Sequence, residues 1–278
     1  MEQSYILTFD IEEWYILQFH GQGSVDEYAG RYDVLLDRVL GDLGKRGIKA
    51  TFFCLGKLAK QFLSVVRRIA EAGHEIACHS NEHRWLTDLS EKEFYEDTYE
   101  ALASIEDITG EKVKGYRAPA FSIGSRNKWA LNILSEMGIE YDCSIFPASR
   151  DFGGFPEFSE DKPVIVSYRG TEMKELPINV TRVLGRDVAF SGGGYFRLFP
   201  FPLLKKFIGK NNYLMTYFHM RDFDKGQKRV WNMRYFKNYY GIEGAYDKFI
   251  RLLDEYDFVS VAQAIKGIDW ESVRKIEI

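Results

Sequence analysis

Short, unbroken apolar runs alternate with segments of helical period along most of the chain, and this alternation constrains the fold more than any other feature. Residues 5–9, 50–55, 74–77, 214–218 and 258–261 read as strands. Their hydrophobicity is continuous rather than alternating, which suits parallel strands covered on both faces. Between them, residues 32–46 place Val34, Leu35, Val39, Leu40 and Leu43 on one stripe, and residues 58–72 do the same with Leu58, Phe62, Val65, Val66 and Ile69. Residues 90–109 open on Ser90-Glu91-Lys92-Glu93, a capping-box pattern. Residues 127–137 stop at Gly138, as a helix C-terminus should. Strand followed by helix, repeated, predicts an α/β fold with a parallel sheet.

The rhythm breaks between residues 146 and 202, where Gly153-Gly154, several prolines and Ser191-Gly192-Gly193-Gly194 predict an elaborated loop region. It resumes from Leu203, and no linker or repeat interrupts it, so residues 1–278 are expected to form a single domain. Hydrophobic residues make up 45% of the chain, far too many for a disordered segment. With 37 Lys and Arg against 41 Asp and Glu, the net charge of -4 lacks the basic footprint of a nucleic-acid binder. No apolar run is long enough to span a membrane. No basic-then-apolar leader opens the chain, so a cytoplasmic location is expected. Cys54, Cys78 and Cys143 are far apart and odd in number; they form no CxxC pair and fit a reducing compartment.

The polar residues of interest sit where strands end. His79-Ser80-Asn81-Glu82-His83 follows the strand at 74–77. Two imidazoles four apart suit one metal ion, or are two polar residues of a loop. Asp10, Glu12 and Glu13 crowd the end of the first strand, which costs free energy unless a cation or proton compensates. Arg117 precedes Ala118-Pro119-Ala120-Phe121, a rigid turn that would fix an ion pair with a carboxylate. Asp142 ends a short strand, and Tyr217-Phe218-His219 closes another with a candidate general acid. In an α/β barrel such strand ends are where the chemistry is kept. His74 reads as structural and His20 as a rim residue.

Taken in order, these motifs resemble the polysaccharide deacetylases of the NodB-homology type, carbohydrate esterase family 4. Thr8-Phe9-Asp10 with Glu12, His79-Ser80-x-x-His83, Arg117-Ala118-Pro119, Asp142 and Phe218-His219 correspond to the family's five motifs. Phe9-Asp10-Ile11-Glu12-Glu13-Trp14 and Ser191-Gly192-Gly193-Gly194-Tyr195-Phe196-Arg197 resemble a subgroup linked to surface and exported polysaccharides. Three departures stand out: the second acid of the first motif is displaced to Glu12, no Trp follows Asp142, and the aromatic expected directly after Arg117-Ala118-Pro119 is displaced to Phe121 by Ala120.

The resemblance implies a distorted (β/α)7-type, TIM-like barrel and hydrolysis of the N-acetyl group of a sugar in a polysaccharide or its precursor. It implies one divalent ion, Zn²⁺ before Co²⁺ or Ni²⁺, held by Glu12, His79 and His83, with Glu13 as the fallback ligand. Asp10 would be the base, oriented by Arg117. His219 would be the acid, with Asp142 tuning it or shaping the acetyl pocket. A backbone N–H near Ala120 would face the oxyanion. Pro119, Ala120 and Phe121 would line the substrate, and Trp14, Trp85, Tyr195 and Phe196 would stack on sugar rings or belong to the core. The partner implied is an N-acetylated glycan, or a lipid- or nucleotide-linked sugar. Two alternatives stand beside this: an amidohydrolase of another C–N amide, allantoinase-like or acting on a cyclic imide, and a non-catalytic glycan-binding relative.

Overall fold

The computed structural model describes residues 4–12, 25–149, 153–227, 229, 231 and 235–278. The strands, in chain order, are β1 (Ser4–Ile6), β2 (Thr8–Ile11), β3 (Thr51–Cys54), β4 (Glu75–Cys78), β5 (Gly115–Tyr116), β6 (Tyr141–Asp142), β7 (Val164–Tyr168), β8 (Thr171–Glu175), β9 (Thr181–Val183), β10 (Arg186–Val188), β11 (Tyr213–Met215), β12 (Phe258–Val259) and β13 (Lys275–Glu277). One sheet runs β13-β7-β8-β6-β5-β4-β3-β2, and a second runs β11-β1-β12. All pairs in them are parallel except β7 with β8.

Leu7 joins the two sheets. Its N–H donates to Val259 O and its carbonyl accepts from Thr51 N–H, both at 3.0 Å. The first strand therefore changes partner at this residue, from β12 on one side to β3 on the other. The opposite seam, between β8 and β11, carries no ladder. Asn179 Oδ1 accepts from Met215 N–H at 2.8 Å and Ser191 Oγ donates to Met215 O at 2.7 Å. An isolated bridge pairs Gly192 with Tyr217. A Cβ at Gly192 would lie 1.9 Å from Tyr217 O, so only glycine permits this closure. The expected distorted barrel is what forms, with one seam held by side chains.

The elements form largely where the sequence places them. The helix at 32–46 begins earlier, at Val25, and ends at Lys45. Ser90 caps the helix Glu91–Thr109 in a full capping box: its N–H donates to Glu93 Oε2 at 2.9 Å and its Oγ accepts from Glu93 N–H at 3.3 Å. The single helix expected at 58–72 is two, Gly56–Gln61 and Leu63–Glu71, broken at Phe62. Neither proline nor glycine marks that break, so periodicity could not show it. The segment 146–202 is richer than a loop. It carries the hairpins β7–β8 and β9–β10 and the helix Gly193–Leu198. Each hairpin turns on a residue pair with both φ positive, Arg169-Gly170 and Leu184-Gly185, the geometry of a two-residue turn that twists with its strands.

The core absorbs much of the aromatic content. Phe9 stacks on Phe52 at 4.9 Å between ring centres, and Phe218, Phe223 and Phe249 continue the cluster. Cys54, Cys78 and Cys143 are free, buried thiols. Burial pushes the thiols of Cys78 and Cys143 well up. Among the described residues, no helix is long and apolar enough to cross a membrane.

Candidate active site

Register gathers the functional side chains. Ile11 pairs with Cys54, Cys54 with Cys78, Cys78 with Tyr116 and Tyr116 with Asp142, so these residues form one level across the sheet. The residues that follow three of them, Glu12, His79 and Arg117, leave the sheet together at its C-terminal edge. A bridge from Phe9 to Phe218, with Asp10 N–H donating to Phe218 O at 2.8 Å, adds His219 to the group.

Glu12, His79 and His83 are buried and bring one ligand atom each within 4.8 Å of one another. His79 Nδ1 lies 2.8 Å from Arg117 O, an oxygen that only accepts, so Nδ1 carries the proton. The neutral ring then aims the lone pair of Nε2 at Glu12 Oε2, 3.1 Å away. His83 Nε2 approaches the same oxygen at 2.5 Å. Acceptors facing each other at this range need a proton or a cation between them. The donor set, two imidazoles and a carboxylate with the second face of His79 anchored, fits a divalent ion such as Zn²⁺. Burial raises the Glu12 carboxyl, but the imidazoles of His83, His219 and His79 more than reverse this and hold it well below the usual carboxylate range.

The backbone is unusual around these groups. Ser80, His83, Ala120 and Phe121 have φ of 72°, 57°, 54° and 54°, rare for residues with side chains and typical of functional loops. The Ser80 Oγ accepts from His83 N–H at 3.0 Å and supports that turn. At Ala120 no hydrogen bond occupies the N–H among the described residues, since the turn bonds run from Phe121 to Ala118 and from Ser122 to Pro119. That free donor is the one the family resemblance assigns to the oxyanion.

Asp10 and Arg117 form a buried pair: Arg117 Nη1 donates to Asp10 Oδ1 and to Thr8 Oγ1, each at 2.7 Å. Its guanidinium lies over the Phe53 ring at 4.0 Å and is wholly buried. On the other flank, His219 Nε2 stands 3.2 Å from Glu12 Oε1 and 3.8 Å from Asp10 Oδ2. Burial lowers the His219 pKa, but Glu12 and Asp222 outweigh it and lift the imidazole to about 10. Asp222 in turn pairs with Arg197. Burial pushes its carboxyl up, yet Arg197 and His219 hold it well below the usual range.

Asp142 is a correction. It is fully buried, but its oxygens accept from Ser144 Oγ at 2.6 Å and Ser144 N–H at 3.1 Å, and it hydrogen-bonds Glu175. Burial drives both carboxyls up, and their mutual repulsion adds to Glu175, so this pair keeps a proton. The residue that orients His219 is Asp222, three positions on in a short helical turn. Phe196 is the second correction. It is 2% exposed and meets Phe218 edge-on at 4.9 Å, so it belongs to the core. Tyr195 is half-buried and stacks on Phe199 at 5.8 Å between ring centres. Pro119 and Phe121 are buried, with Phe121 edge-on to Tyr217 at 5.5 Å. Trp14, Glu13 and His20 lie outside the described residues. The sequence marks Arg197 only as the end of the glycine-rich segment and signals Asp222 only as an acid three residues after His219, on the same turn.

Comparison with known proteins places this geometry. The family model described as polysaccharide deacetylase matches residues 2–141, and one described as a domain of unknown function (DUF3473) matches residues 143–266. The chain is 31% identical over 128 residues to a peptidoglycan-N-acetylglucosamine deacetylase of Bacillus cereus, covering 44% of this chain and 46% of that protein. It thus spans about half the length of that curated relative. A solved structure from Mycobacterium smegmatis assigned to the polysaccharide deacetylases superposes with a TM-score of 0.69 at 19% identity, over 97% of this chain and 91% of the other. A carbohydrate esterase family 4 pseudoenzyme from Bacillus anthracis shares the fold with a TM-score of 0.53 at 14% identity, over 99% of this chain and 67% of the other. With half of its length matched by the family model and the ordered motifs at the strand ends, the chain belongs to the polysaccharide deacetylase family.

Proposed function

We propose that this chain hydrolyses the N-acetyl group of an N-acetylated sugar within a glycan, using a divalent ion bound by Glu12, His79 and His83. The observation that carries the reading is the arrangement around that cluster. On one side stands a carboxylate, Asp10, fixed by Arg117. On the other stands an imidazole, His219, fixed by Asp222. A carboxylate anchored by a guanidinium on one side and an imidazole anchored by a carboxylate on the other mark a base and an acid. When bound, the ion supplies Lewis-acid polarisation of the acetamide carbonyl and acidifies the attacking water.

The chain's own residues do the rest. Asp10, held in place by the buried guanidinium, takes a proton from the attacking water at Oδ2, the oxygen not held by Arg117. The Ala120 N–H donates to the oxyanion as the carbonyl carbon becomes tetrahedral. His219 Nε2, protonated, gives its proton to the departing nitrogen, since an amide nitrogen leaves as the amine. Pro119 and Phe121 exclude water from the acetyl side. The products are acetate and the free amine of the sugar. Relatives named for peptidoglycan N-acetylglucosamine make that sugar the first substrate to test.

The decisive experiment is acetate release from peptidoglycan fragments and N-acetylglucosamine oligomers by purified protein supplied with Zn²⁺ or Co²⁺. Turnover by the wild type and none by the His79→Ala/His83→Ala double variant is expected. Equal turnover by both would overturn the reading, and turnover of ureides or cyclic imides in place of acetamido sugars would move it to another amide.

A further inference from the structure

Trp231 and Phe236 are 81% and 76% exposed, more than any other aromatic side chain among the described residues. With Tyr240, also exposed, they fall in one short stretch of unusual composition. Residues 225–240 carry five aromatics, five Lys or Arg and no Asp or Glu, in a chain whose net charge is -4. Apolar rings gathered in water beside cations mark a surface that meets something else.

The helix Tyr235–Tyr239 turns its aromatics outward. Tyr240 N–H donates to Phe236 O at 2.9 Å, so these two residues share one face, and both are exposed. Tyr239, on the inner side, is buried. The helix is seated on Arg197, whose Nη2 donates to Asn238 O at 3.0 Å. A Cβ at Gly241 would lie 2.7 Å from Arg197 O, so only glycine permits this approach. Leu198, exposed at the end of the helix Gly193–Leu198, extends the surface. Arg229 Nη2 donates to Glu243 Oε1 at 3.2 Å, which brings the chain just before Trp231 back to the turn that follows the helix. Arg197 also pairs with Asp222, so the surface lies directly behind the residue that fixes His219.

Indole, phenyl and phenol rings facing water beside the exposed Lys225 and Arg229 match the boundary between water and an anionic bilayer. There the rings settle at headgroup depth and the cations meet lipid phosphates. A protein groove would cover the rings but has no use for a run of cations without acids. A soluble polyanion would neutralise the cations but leave the rings in water. We infer that this surface docks the chain on an anionic lipid bilayer, with Trp231, Phe236 and Tyr240 entering the headgroup layer. Such docking requires neither a metal nor turnover, so it stands or falls apart from the deacetylase reading.

The test is co-sedimentation of the full chain with vesicles of phosphatidylcholine alone or mixed with phosphatidylglycerol. Binding to the anionic vesicles only, weakened as salt is raised, is expected. Trp231→Ala/Phe236→Ala should lower that affinity about tenfold or more. Lys225→Ala/Arg229→Ala should lower it about 25-fold, at roughly fivefold per charge. Tyr95→Ala/Tyr99→Ala removes another exposed ring pair, on the helix Glu91–Thr109, and should bind as the wild type does. Anionic vesicles with brominated acyl chains should quench the wild type's tryptophan fluorescence, and the milder Trp231→Phe should lose most of that quenching. A wild type left in the supernatant overturns the docking surface. So does binding that the charge pair weakens and the ring pair does not, which any polyanion would give, or an equal loss in Tyr95→Ala/Tyr99→Ala. A dimer that Trp231→Ala/Phe236→Ala abolishes, with vesicles unbound, would assign the surface to a second copy instead.

Discussion

Asp222 grips His219 through one oxygen: Oδ2 accepts from the backbone N–H at 3.0 Å and faces Nδ1 at 3.2 Å. Its other oxygen takes the Arg197 guanidinium, whose Nη2 also donates to Asn238 O at 3.0 Å. The His219 ring is thereby fixed with Nε2 toward Glu12 and Asp10. Replacing Asp222 with Asn keeps the shape but offers an amide that can select the wrong tautomer. We expect kcat for acetate release to fall about 10- to 100-fold with KM little changed. Equal kcat in Asp222→Asn would show that His219 needs no such partner.

Metal capture should depend on the three convergent side chains. Glu12→Ala and His83→Ala are expected to purify without stoichiometric Zn²⁺ by elemental analysis. Saturating Zn²⁺, at 100 times its Kd, should stabilise the wild type by about 2.7 kcal/mol and these variants not at all. Thermal unfolding with and without a chelator reads the difference.

The Asp10–Arg117 pair separates chemistry from stability. Asp10→Asn should retain the metal and lose about 10²–10⁴ in kcat, as loss of a proton acceptor does. Arg117→Met leaves a buried carboxylate without its cation and is expected to cost about 3–5 kcal/mol in urea unfolding. Combining the two should cost less than the sum, because the neutral amide no longer needs the guanidinium. An additive double variant would mean that the ion pair carries no coupling.

His74 predicts a pH dependence of stability remote from the site. Its Nδ1 accepts from Ala50 N–H at 3.2 Å, and its ring packs on Phe52. Burial first, and the nearby Lys49 charge second, depress its pKa from 6.5 to about 4. Above pH 6.5 the imidazole is neutral whether or not the chain is folded, and its contribution is fully present. As the pH falls toward 4, the unfolded chain takes up a proton that the folded one resists, and stability drops by roughly 1–3 kcal/mol. Urea midpoints of the wild type should fall across that window more steeply than those of His74→Gln.

Much of this was legible because strand ends announce themselves. Asp10, His79, Arg117 and His219 each follow an apolar run, and parallel strands deliver such residues to one edge whatever the helices do. Pairing between side chains was not. Nothing local says that Asp142 turns to Glu175, 33 positions on, or that Arg197 reaches Asp222. Phe196 sits in a glycine-rich segment that reads as a loop, yet that segment forms a short helix whose inner face meets Phe218. The two hairpins of the middle segment leave no sequence signature, because Arg169-Gly170 and Leu184-Gly185 lack the usual Asn or Asp in their turns.

The switch of partner at Leu7 bears on how the chain assembles. Thr216 Oγ1 donates to Ile6 O across 210 residues of sequence, and β1 is flanked only by strands from the last third of the chain. Closing so long a loop is entropically slow, and it comes late when other contacts are local. During synthesis β2 can dock on β3 early, while β1 stands with both edges open until residues 213–259 emerge. The same closure carries His219 to Asp10, so these two side chains meet only after the segment at 213–219 has paired with the first strand.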